Sequence, residues 1–391
     1  MSGSGLISLT ATVQSAGRGP CALAEAQPAH RSLHLLGGGG ISCGIGDFSR
    51  LLLETLEQDG AGGHAGLTIE PRDFPLARVW KAIGEADAVV ANFPLVAWKR
   101  ALFGPVAAFA LAAIRGRRRL AILHEWQGMH RLRRLVLRPV LVLSNRIVFV
   151  SPQVREELAA DPFVGFLASR AALMPLPPNL ASPDATAGSA LRDRLVAARD
   201  EGRLVLGHFG SIYPGKQPEA MLDIAAALKA RGARPLLVFI GSFIKGFDGI
   251  ENIFREKVAA LGLADDVVVS GYVASAAELY GLFETAEAFA YVLPEGLTAR
   301  RASVLACVQA GRPVVVTAPA RADEFDHHPR FRDLLDSGAI VLAPAGSCPD
   351  DYADLILAAR HRPTAKPDLD KLAWFDDAAG ALRSLILPLP S

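Results

Sequence analysis

Two segments in the second half of the sequence place a charged side chain beside a glycine-containing turn. In the first, HFGSIYPGKQPEAM, an apolar run ends at Phe209 and is followed by Gly210, Ser211, a Pro-Gly turn and Lys216. Lys216 directly precedes a helical pattern, so its ammonium and the free N–H groups at the start of that helix can together hold a diphosphate. The alternative is an exposed lysine in a turn.

The second segment, YVLPEGLTARRASVLACVQAGRPVVVT, extends from Tyr291 to Thr317. Its pattern predicts a buried strand, a loop that carries Glu295, and a helix that begins near Thr298. A carboxylate at the carboxyl end of a strand suits the binding of sugar hydroxyls, which donate hydrogen bonds to it. The alternative is a carboxylate with a structural role.

A third segment, LLGGGGISCGIGDFSRLL, joins an apolar strand to a helix through a glycine-rich loop that contains Gly39, Gly40, Cys43 and Gly44. Glycines allow backbone N–H groups to approach a ligand at a helix N-terminus. The spacing does not satisfy the dinucleotide fingerprint G-x-G-x-x-G. Three interpretations stay open: a dinucleotide-binding turn, a plain strand-to-helix turn, and a substrate-facing loop.

The elements that must position these residues are short apolar runs that alternate with longer helical patterns. This alternation is typical of parallel sheets covered by helices on both faces. Strands are predicted at 33–36, 88–91, 120–123, 147–150, 204–209, 236–240, 267–270, 288–292, 314–317 and 340–342, and helices at 47–58, 220–231, 254–261 and 302–310. Two Rossmann-like halves result, and ligands of such folds bind at the carboxyl ends of the strands.

The halves are joined by a stretch from Met174 to Ser189 that is rich in Pro, Ala and Ser and breaks both periodicities. We therefore expect five parts in the chain. They are a loose leader (1–30), an N-terminal Rossmann-like domain (31–180), a linker (181–203), a C-terminal Rossmann-like domain (204–365) and a C-terminal segment (366–391).

Composition and charge restrict the class of protein further. The chain has 391 residues, of which 51% are hydrophobic, so each of two domains can bury a core. A formal charge of +1 provides no global basic excess for nucleic acid. The four cysteines lack zinc-ligand spacing and fit free thiols in a reducing compartment. We expect a cytoplasmic location, because the first 30 residues do not have the pattern of a secretory signal.

In the C-terminal half, the two charged segments resemble the donor site of GT-B glycosyltransferases, especially the retaining family four. That family has a G-R-x-x-x-x-K segment after the first strand of the domain, and Gly210, Ser211 and Lys216 stand at the matching positions. Its E-x7-E segment matches Glu295 through Ser303. The lysine and the first glutamate are kept, whereas Ser211 and Ser303 replace the arginine and the second glutamate.

The resemblance extends to the N-terminal half, where the glycine-rich loop matches the acceptor-side loop and His124 follows a strand as the cleft histidine does in many members. It implies an α/β GT-B fold whose two Rossmann-like domains face each other across a cleft. It also implies catalytic roles for His124 and Glu295. The donor-binding set that it implies is Gly210, Ser211, Lys216, Gly296, Leu297, Thr298 and Ser303.

The activity implied is transfer of a hexosyl unit, with retention, from a nucleotide diphosphate sugar to an acceptor hydroxyl. The nucleotide sugar is a substrate, and no cofactor is expected. Two alternatives stay open: a GT-B-shaped sugar-nucleotide epimerase, which needs further carboxylates in the cleft, and a non-catalytic partner subunit, because two familiar donor contacts are replaced.

No metal is expected in this site. The sequence has no D-x-D pair at the end of a strand, and Lys216 with the helix N-terminus would take the place of a cation. The segment ADEFDHH contains Glu324, Asp326, His327 and His328, but no second cluster of ligands accompanies it. We therefore interpret it as a solvated loop.

A local basic cluster lies between Lys99 and Arg138, where ten basic residues face one acidic residue, Glu125. It flanks two apolar runs, 101–114 and 135–143, and its central members are Arg115, Arg117, Arg118, Arg119, Arg131, Arg133 and Arg134. Apolar burial and attraction to anionic lipid together favour peripheral attachment to the inner face of a membrane, with a lipid-linked glycan of a surface polysaccharide as acceptor. The alternative is a solvated basic face. Nucleic acid is not expected, because no aromatic residues are interleaved.

Overall fold

Continuous runs of Val, Ile, Leu and Ala form the strands of two parallel sheets. In the computed structural model, which describes residues 31–38, 43–58, 63–70, 73–99, 102–178, 183–244, 249–361 and 371–386, each sheet has six strands. Strands such as Ala88–Phe93 and Pro235–Ile240 are buried along their whole length. Side chains that are apolar on both faces of a strand require covering layers on both sides, which the helices provide.

The first sheet has the strand order β2-β1-β3-β4-β5-β6, with every pair parallel. Its strands are β1 (Ser32–Gly37), β2 (His64–Ile69), β3 (Ala88–Phe93), β4 (Arg118–Leu123), β5 (Arg146–Phe149) and β6 (Ala171–Leu173). Its helices are α1 (Gly44–Gln58), α2 (Leu76–Glu85), α3 (Phe103–Ile114), α4 (Arg131–Leu143) and α5 (Pro152–Ala159), with short 3-10 turns at Val96–Trp98 and Gly165–Arg170.

The second sheet has the order β12-β11-β10-β7-β8-β9 and is again parallel throughout. Its strands are β7 (Leu204–Phe209), β8 (Pro235–Ile240), β9 (Val267–Val269), β10 (Ala288–Tyr291), β11 (Val314–Thr317) and β12 (Ile340–Ala343). The remaining helices are α6 (Ala190–Asp200), α7 (Pro218–Ala230), α8 (Ile250–Ala260), α9 (Ala276–Phe283), α10 (Ala302–Gln309), α11 (Pro329–Asp336), α12 (Pro349–Ala359) and α13 (Lys371–Ile386), with a 3-10 turn at Pro214–Lys216.

Each half therefore has the predicted α/β architecture with a parallel sheet, and this part of the fold prediction is confirmed. The stretch 181–203, predicted as a linker, contains α6, whose Leu195 packs into the core of the second half. The segment 366–391 contains α13, which returns to the first half: its Phe375 packs against Phe48 of α1 with ring centroids 5.9 Å apart. None of the described helices is long and apolar enough to cross a membrane.

Candidate functional site

The two halves meet through contacts between α5 and loops at the carboxyl edge of the second sheet. The contacting pairs are Gln153 with Arg300, Ser151 with Glu324, and Glu156 with Arg321. The Ser151 hydroxyl donates to the Glu324 carboxylate at 2.8 Å, and the Arg300 guanidinium donates to the side-chain amide oxygen of Gln153 at 3.1 Å. Because strands in a parallel sheet all end at the same edge, these contacts bring the two carboxyl edges together.

A cavity of about 400 Å³ lies where the halves meet. It is lined by Cys43, Gly44, Ile45, Phe48, Pro94, Val96, His124, Glu125, Arg133, Leu176, Pro177, Arg300 and Ala302. The lining thus combines mostly apolar residues with a few polar ones, the usual composition of a small-molecule site. Below we call this space the His124 cavity.

His124 follows the last residue of β4 and is buried in the wall of this cavity. Its Nε2 lies 2.9 Å from Oδ1 of Asn92. An amide oxygen only accepts, so in this arrangement Nε2 carries the proton and Nδ1 is the nitrogen that can accept a hydrogen bond. Burial, and next the charge of Arg300, lower the pKa of His124 to about 3. The imidazole is therefore neutral at physiological pH, and it acts as a hydrogen-bonding group.

Asn92 was not singled out from the sequence. It is the fifth residue of β3, and the parallel register places it beside Ile122, two residues before His124. A polar residue near the end of an otherwise apolar buried run is the signal that could have found it. Its partner, His124, is 32 positions away in sequence.

Lys216 is the last residue of the 3-10 turn that precedes α7. Its side chain is buried, and its Nζ lies 5.7 Å from the centroid of the Tyr291 ring. Burial, followed by the positive charge of Arg301, lowers the pKa of Lys216 to about 8. The ammonium is thus mostly protonated at neutral pH, and an anion bound beside it would favour the charged form.

Glu295 lies in the loop after β10 and forms an ion pair with Arg301, the residue before α10. Arg301 is also hydrogen-bonded to Tyr213, and burial lowers its pKa. Arg301 was not predicted as a site residue, although the pair of arginines in TARRAS before a helix is a visible signal. Lys216, Arg301 and Glu295 thus form one charged group at the carboxyl edge of the second sheet.

The helix predicted at 302–310 is confirmed as α10 (Ala302–Gln309), whereas the expectation that a helix begins near Thr298 is wrong. Thr298 is instead buried in the preceding loop, and its hydroxyl has no hydrogen-bond partner among the described residues. The backbone N–H groups of Gly296 and Leu297 donate to the carbonyl oxygens of Leu293 and Thr317. These two N–H groups therefore hold the loop, and they are not free to bind a diphosphate.

Gly210 and Ser211 line a second cavity, of about 310 Å³, in the second half. Its lining is Phe209, Gly210, Ser211, Ile240, Gly241, Ser242, Tyr272, Val273, Ala274, Ala276 and Leu279. Gly241 has a φ of 153°, and a Cβ at this position would lie 2.1 Å from the Gly210 carbonyl oxygen. Glycine is thus required where the two loops approach each other. We call this space the Gly210 cavity.

Ser303 is the second residue of α10 and is half-buried. Its carbonyl oxygen accepts a hydrogen bond from the Tyr291 hydroxyl at 3.4 Å. On the first half, Cys43 and Gly44 line the His124 cavity, and the Gly46 N–H donates to the Cys43 sulfur at 3.4 Å. The predicted loop residues Gly39 and Gly40 lie outside the described residues.

The interpretation of ADEFDHH as a solvated loop is wrong for two of its residues. Glu324 is only 2% exposed, and its carboxylate accepts hydrogen bonds from the Ser151 hydroxyl and, at 3.0 Å, from the Ala299 N–H. Burial raises the pKa of Glu324. His328 is also buried, and its pKa is lowered by burial to about 4. Within the described ranges, no three His, Cys, Asp or Glu side chains are grouped closely enough to hold a metal ion.

The predicted basic cluster divides into two groups at opposite edges of the first sheet. Arg115, Arg117, Arg118 and Arg119 lie between the end of α3 and the start of β4, whereas Arg131, Arg133 and Arg134 form the first turn of α4, beyond the carboxyl end of β4. Most of the first group is engaged within the protein: Arg117 donates to the Gly84 carbonyl oxygen, and Arg119 to that of Leu143. Residues that are clustered in the sequence therefore form two separate groups in the structure.

No protein-family model matches this chain, and no curated protein matches it. Solved structures do match it over nearly its full length. HepE of Anabaena, solved in complex with UDP, has a TM-score of 0.56 at 17% identity, covering 91% of this chain and 95% of its own. A glycosyltransferase from Rickettsia africae has a TM-score of 0.56 at 11% identity, covering 91% of this chain and 97% of its own.

A third similar structure is the lipopolysaccharide outer core galactosyltransferase WaaB, with a TM-score of 0.51 at 12% identity, covering 91% of this chain and 99% of its own. At these identities the similarity shows the fold. The chain has the GT-B fold, as the resemblance implied.

Proposed function

We propose that this GT-B protein is a glycosyltransferase that moves a hexosyl unit from a nucleotide diphosphate sugar to the hydroxyl of an acceptor. The observation that carries the proposal is that both halves contribute to the His124 cavity. Neutral His124 lines it from the first half, and Arg300 and Ala302 line it from the second, on either side of Arg301 with its partner Glu295. A departing diphosphate requires cations, and a carboxylate and a neutral imidazole both accept hydrogen bonds from sugar hydroxyls.

The donor would extend from the Gly210 cavity to the His124 cavity. The Gly210 cavity is lined mostly by glycine and apolar residues, and its Tyr272 is 83% exposed, which suits contact with a nucleoside. The segment from Gly210 to Lys216 leads from there to the charged group. HepE has been solved with UDP-glucose, which supports UDP as the nucleotide.

In the reaction, the bond between the anomeric carbon and the diphosphate oxygen breaks, and the acceptor oxygen bonds to that carbon. Lys216 and Arg301 would stabilise the negative charge that develops on the diphosphate. Glu295 would orient the sugar hydroxyls, and Nδ1 of His124 would accept one of them. With a pKa of about 3, His124 is a weak base, so the acceptor proton would leave with the diphosphate. Departure and attack on the same face would give retention.

Metal independence belongs to this proposal. Two cations already stand where a divalent ion would neutralise the diphosphate, so we expect transfer to persist in EDTA. Activity that disappears on chelation and returns with manganese or magnesium would contradict the role of Lys216 and Arg301.

The acceptor we propose is a lipid-linked glycan, as in assembly of a surface polysaccharide. One face of α4 presents Leu132, Leu135 and Val136, which are 66%, 54% and 47% exposed, and Arg131 beside them is exposed. Residues three and four apart share a helix face, so this is a continuous apolar strip with a basic end. Such a strip favours an anionic bilayer surface. We call it the α4 face.

The proposal is tested first by donor binding and then by turnover. A thermal-shift screen against UDP, GDP and dTDP sugars identifies the donor, because a ligand that binds the native state raises its stability. Lys216→Ala and Glu295→Gln should then each lower kcat/KM by about 100-fold, the usual effect of removing one preorganised electrostatic group. Lys81→Ala, an exposed lysine on α2, is the matched control and should leave kcat/KM unchanged.

Near-normal kcat/KM in either site variant would show that its assigned role is wrong. Donor binding without turnover across a broad acceptor panel would favour the non-catalytic subunit. Conversion of the sugar nucleotide in the absence of any acceptor would favour the epimerase.

A further inference from the structure

Two arginines, one from each half of the molecule, line the His124 cavity. Among the described residues that line it, Arg133 and Arg300 are cationic and Glu125 is the acidic one. His124 is neutral, because its pKa is about 3. The lining therefore contains one more cation than anion. Each arginine also has a carboxylate within electrostatic reach: Glu125 for Arg133, and Glu324, which is outside the lining, for Arg300.

The two arginines approach this space from opposite halves of the molecule, and each is held in place. Arg133, in the first turn of α4, donates to the Leu95 carbonyl oxygen. Arg300 donates to Gln153 at 3.1 Å. A guanidinium has five N–H donors in a planar fork, so each arginine keeps donors beyond the one that fixes it. In both, the buried Nε has no acceptor in the described part of the chain.

In the proposed function, Lys216 and Arg301 bind the donor diphosphate. The donor therefore does not require Arg133 and Arg300. Arg133 belongs to the half that would hold the acceptor, on the same helix as the α4 face. Arg133 lines the cavity that contains His124, where the acceptor hydroxyl would be positioned.

We propose that the acceptor carries an oxyanion, a phosphate or a carboxylate, which Arg133 and Arg300 bind beside His124. This rests on the proposed function and specifies its substrate class. Arginine matches both groups, since its fork donates two parallel hydrogen bonds to a phosphate or a carboxylate. A neutral acceptor of equal size would bind less tightly, because it cannot form charge-assisted hydrogen bonds with the two guanidinium groups.

The test compares octyl glycosides, the corresponding octyl glycuronides, and the same sugars joined to octanol through a phosphate. Binding to the protein saturated with UDP is measured by calorimetry, so the result does not depend on turnover. We expect at least one anionic series to bind about ten-fold or more tightly than the neutral one, the range for charge-assisted hydrogen bonds. The anionic series with the higher affinity, phosphate or carboxylate, identifies the oxyanion that the site selects.

Arg133→Gln should abolish that preference while leaving the Kd of UDP unchanged, and Arg133→Lys should keep part of it. Arg78→Gln is the matched control, because it removes an exposed charge of α2 that does not line the cavity. Equal binding of the neutral and both anionic series to the wild-type protein would overturn the proposal, whatever the stability of the variants. An equal loss for all three series in Arg133→Gln would do the same. Failure of UDP to bind would instead count against the proposed function.

Discussion

At the scale of single residues, Lys216 should make donor binding depend on pH, because its charge changes close to neutral pH. Burial lowers its pKa to about 8, so the free protein loses this cation as pH rises through that value. We expect the Kd of UDP to increase above about pH 8. Lys216→Arg should remove this pH dependence, because a guanidinium stays charged. Titrations of UDP from pH 6.5 to 9.5 measure it, and an identical pH dependence in both proteins would contradict the role of Lys216.

The same shift has a consequence for stability. Folding lowers the pKa of Lys216 from 10.5 to about 8, so at neutral pH its charge costs the folded state about 3 kcal/mol. This cost is complete below pH 8 and disappears as pH rises through 10.5. Lys216→Met should therefore increase the free energy of unfolding at pH 7 and lose most of that advantage near pH 10. Denaturant melts at the two pH values test this, and a destabilised variant at pH 7 would contradict it.

His124, unlike Lys216, should not make activity depend on pH in the physiological range. Because its pKa is about 3, its ionisation should produce no change in kcat between pH 5 and 8. Asn92→Asp places a negative charge beside Nε2, which raises the pKa of His124 and should introduce an acid limb into the profile. Asn92→Ala removes the acceptor without adding charge and is the control. A limb near pH 6.5 in the wild-type protein, lost in His124→Ala, would show that the imidazole titrates in the free site.

At the scale of elements, α5 connects the halves, and Glu324 is the most buried of its partners. Glu324→Gln can still accept from the Ser151 hydroxyl and the Ala299 N–H, whereas Glu324→Ala leaves both donors unpaired. At pH 4 we expect Ala to lower the free energy of unfolding by about 1–3 kcal/mol and Gln to preserve it. Since burial raises the pKa of Glu324, its ionisation destabilises the fold, and Gln should gain relative to the wild type as pH rises above 4.5.

Melts of the three proteins at pH 4 and pH 7 provide the measurement. Asp336→Ala, at the end of α11 and distant from α5 in the chain, serves as a control for loss of a carboxylate. Equal stability of the Ala variant and the wild type would mean that the contact between the halves contributes little.

The strands were predictable where both faces are buried, as in β3 and β8, because such strands are apolar without interruption. β2 was missed, since it lies at the edge of the sheet and only Leu67 and Ile69 of its six residues are buried. The place of α13 on the first half was also beyond prediction, because its packing against α1 joins parts of the chain more than 300 positions apart.

The site residues likewise fall into those that the sequence could identify and those that it could not. Lys216, Glu295 and His124 stand next to strand ends in the sequence, so pattern and resemblance could single them out. Asn92 and Arg301 owe their positions to partners in other elements, through the register of β3 with β4 and the pairing of Arg301 with Glu295. The division of the basic cluster has a comparable cause. A parallel strand, β4, separates Arg119 from Arg131, so the two arginines that are close in sequence lie at opposite edges of the sheet.

At the scale of the whole molecule, we expect the α4 face to be the surface that contacts a membrane. Wild-type protein should float with anionic liposomes at low salt and be partly released at high salt, because each well-placed Lys or Arg contributes about 1 kcal/mol and salt screens it. The double variant Leu135→Asp and Val136→Asp should lose flotation, since it removes apolar burial and adds repulsion from the lipid headgroups. Both side chains are half-exposed, so the fold should tolerate the changes.

Ile253→Asp is the matched control, because Ile253 is 54% exposed on α8 of the other half and lies on a different surface. Its flotation should equal that of the wild type. If the α4 face docks, the His124 cavity lies near the bilayer, since Arg133 lines that cavity and is in the first turn of α4. The acceptor hydroxyl would then be delivered from the lipid side while the nucleotide sugar enters from water. If the wild-type protein binds neither neutral nor anionic vesicles at low ionic strength, the proposed membrane docking is wrong. A water-soluble acceptor would then be the better hypothesis.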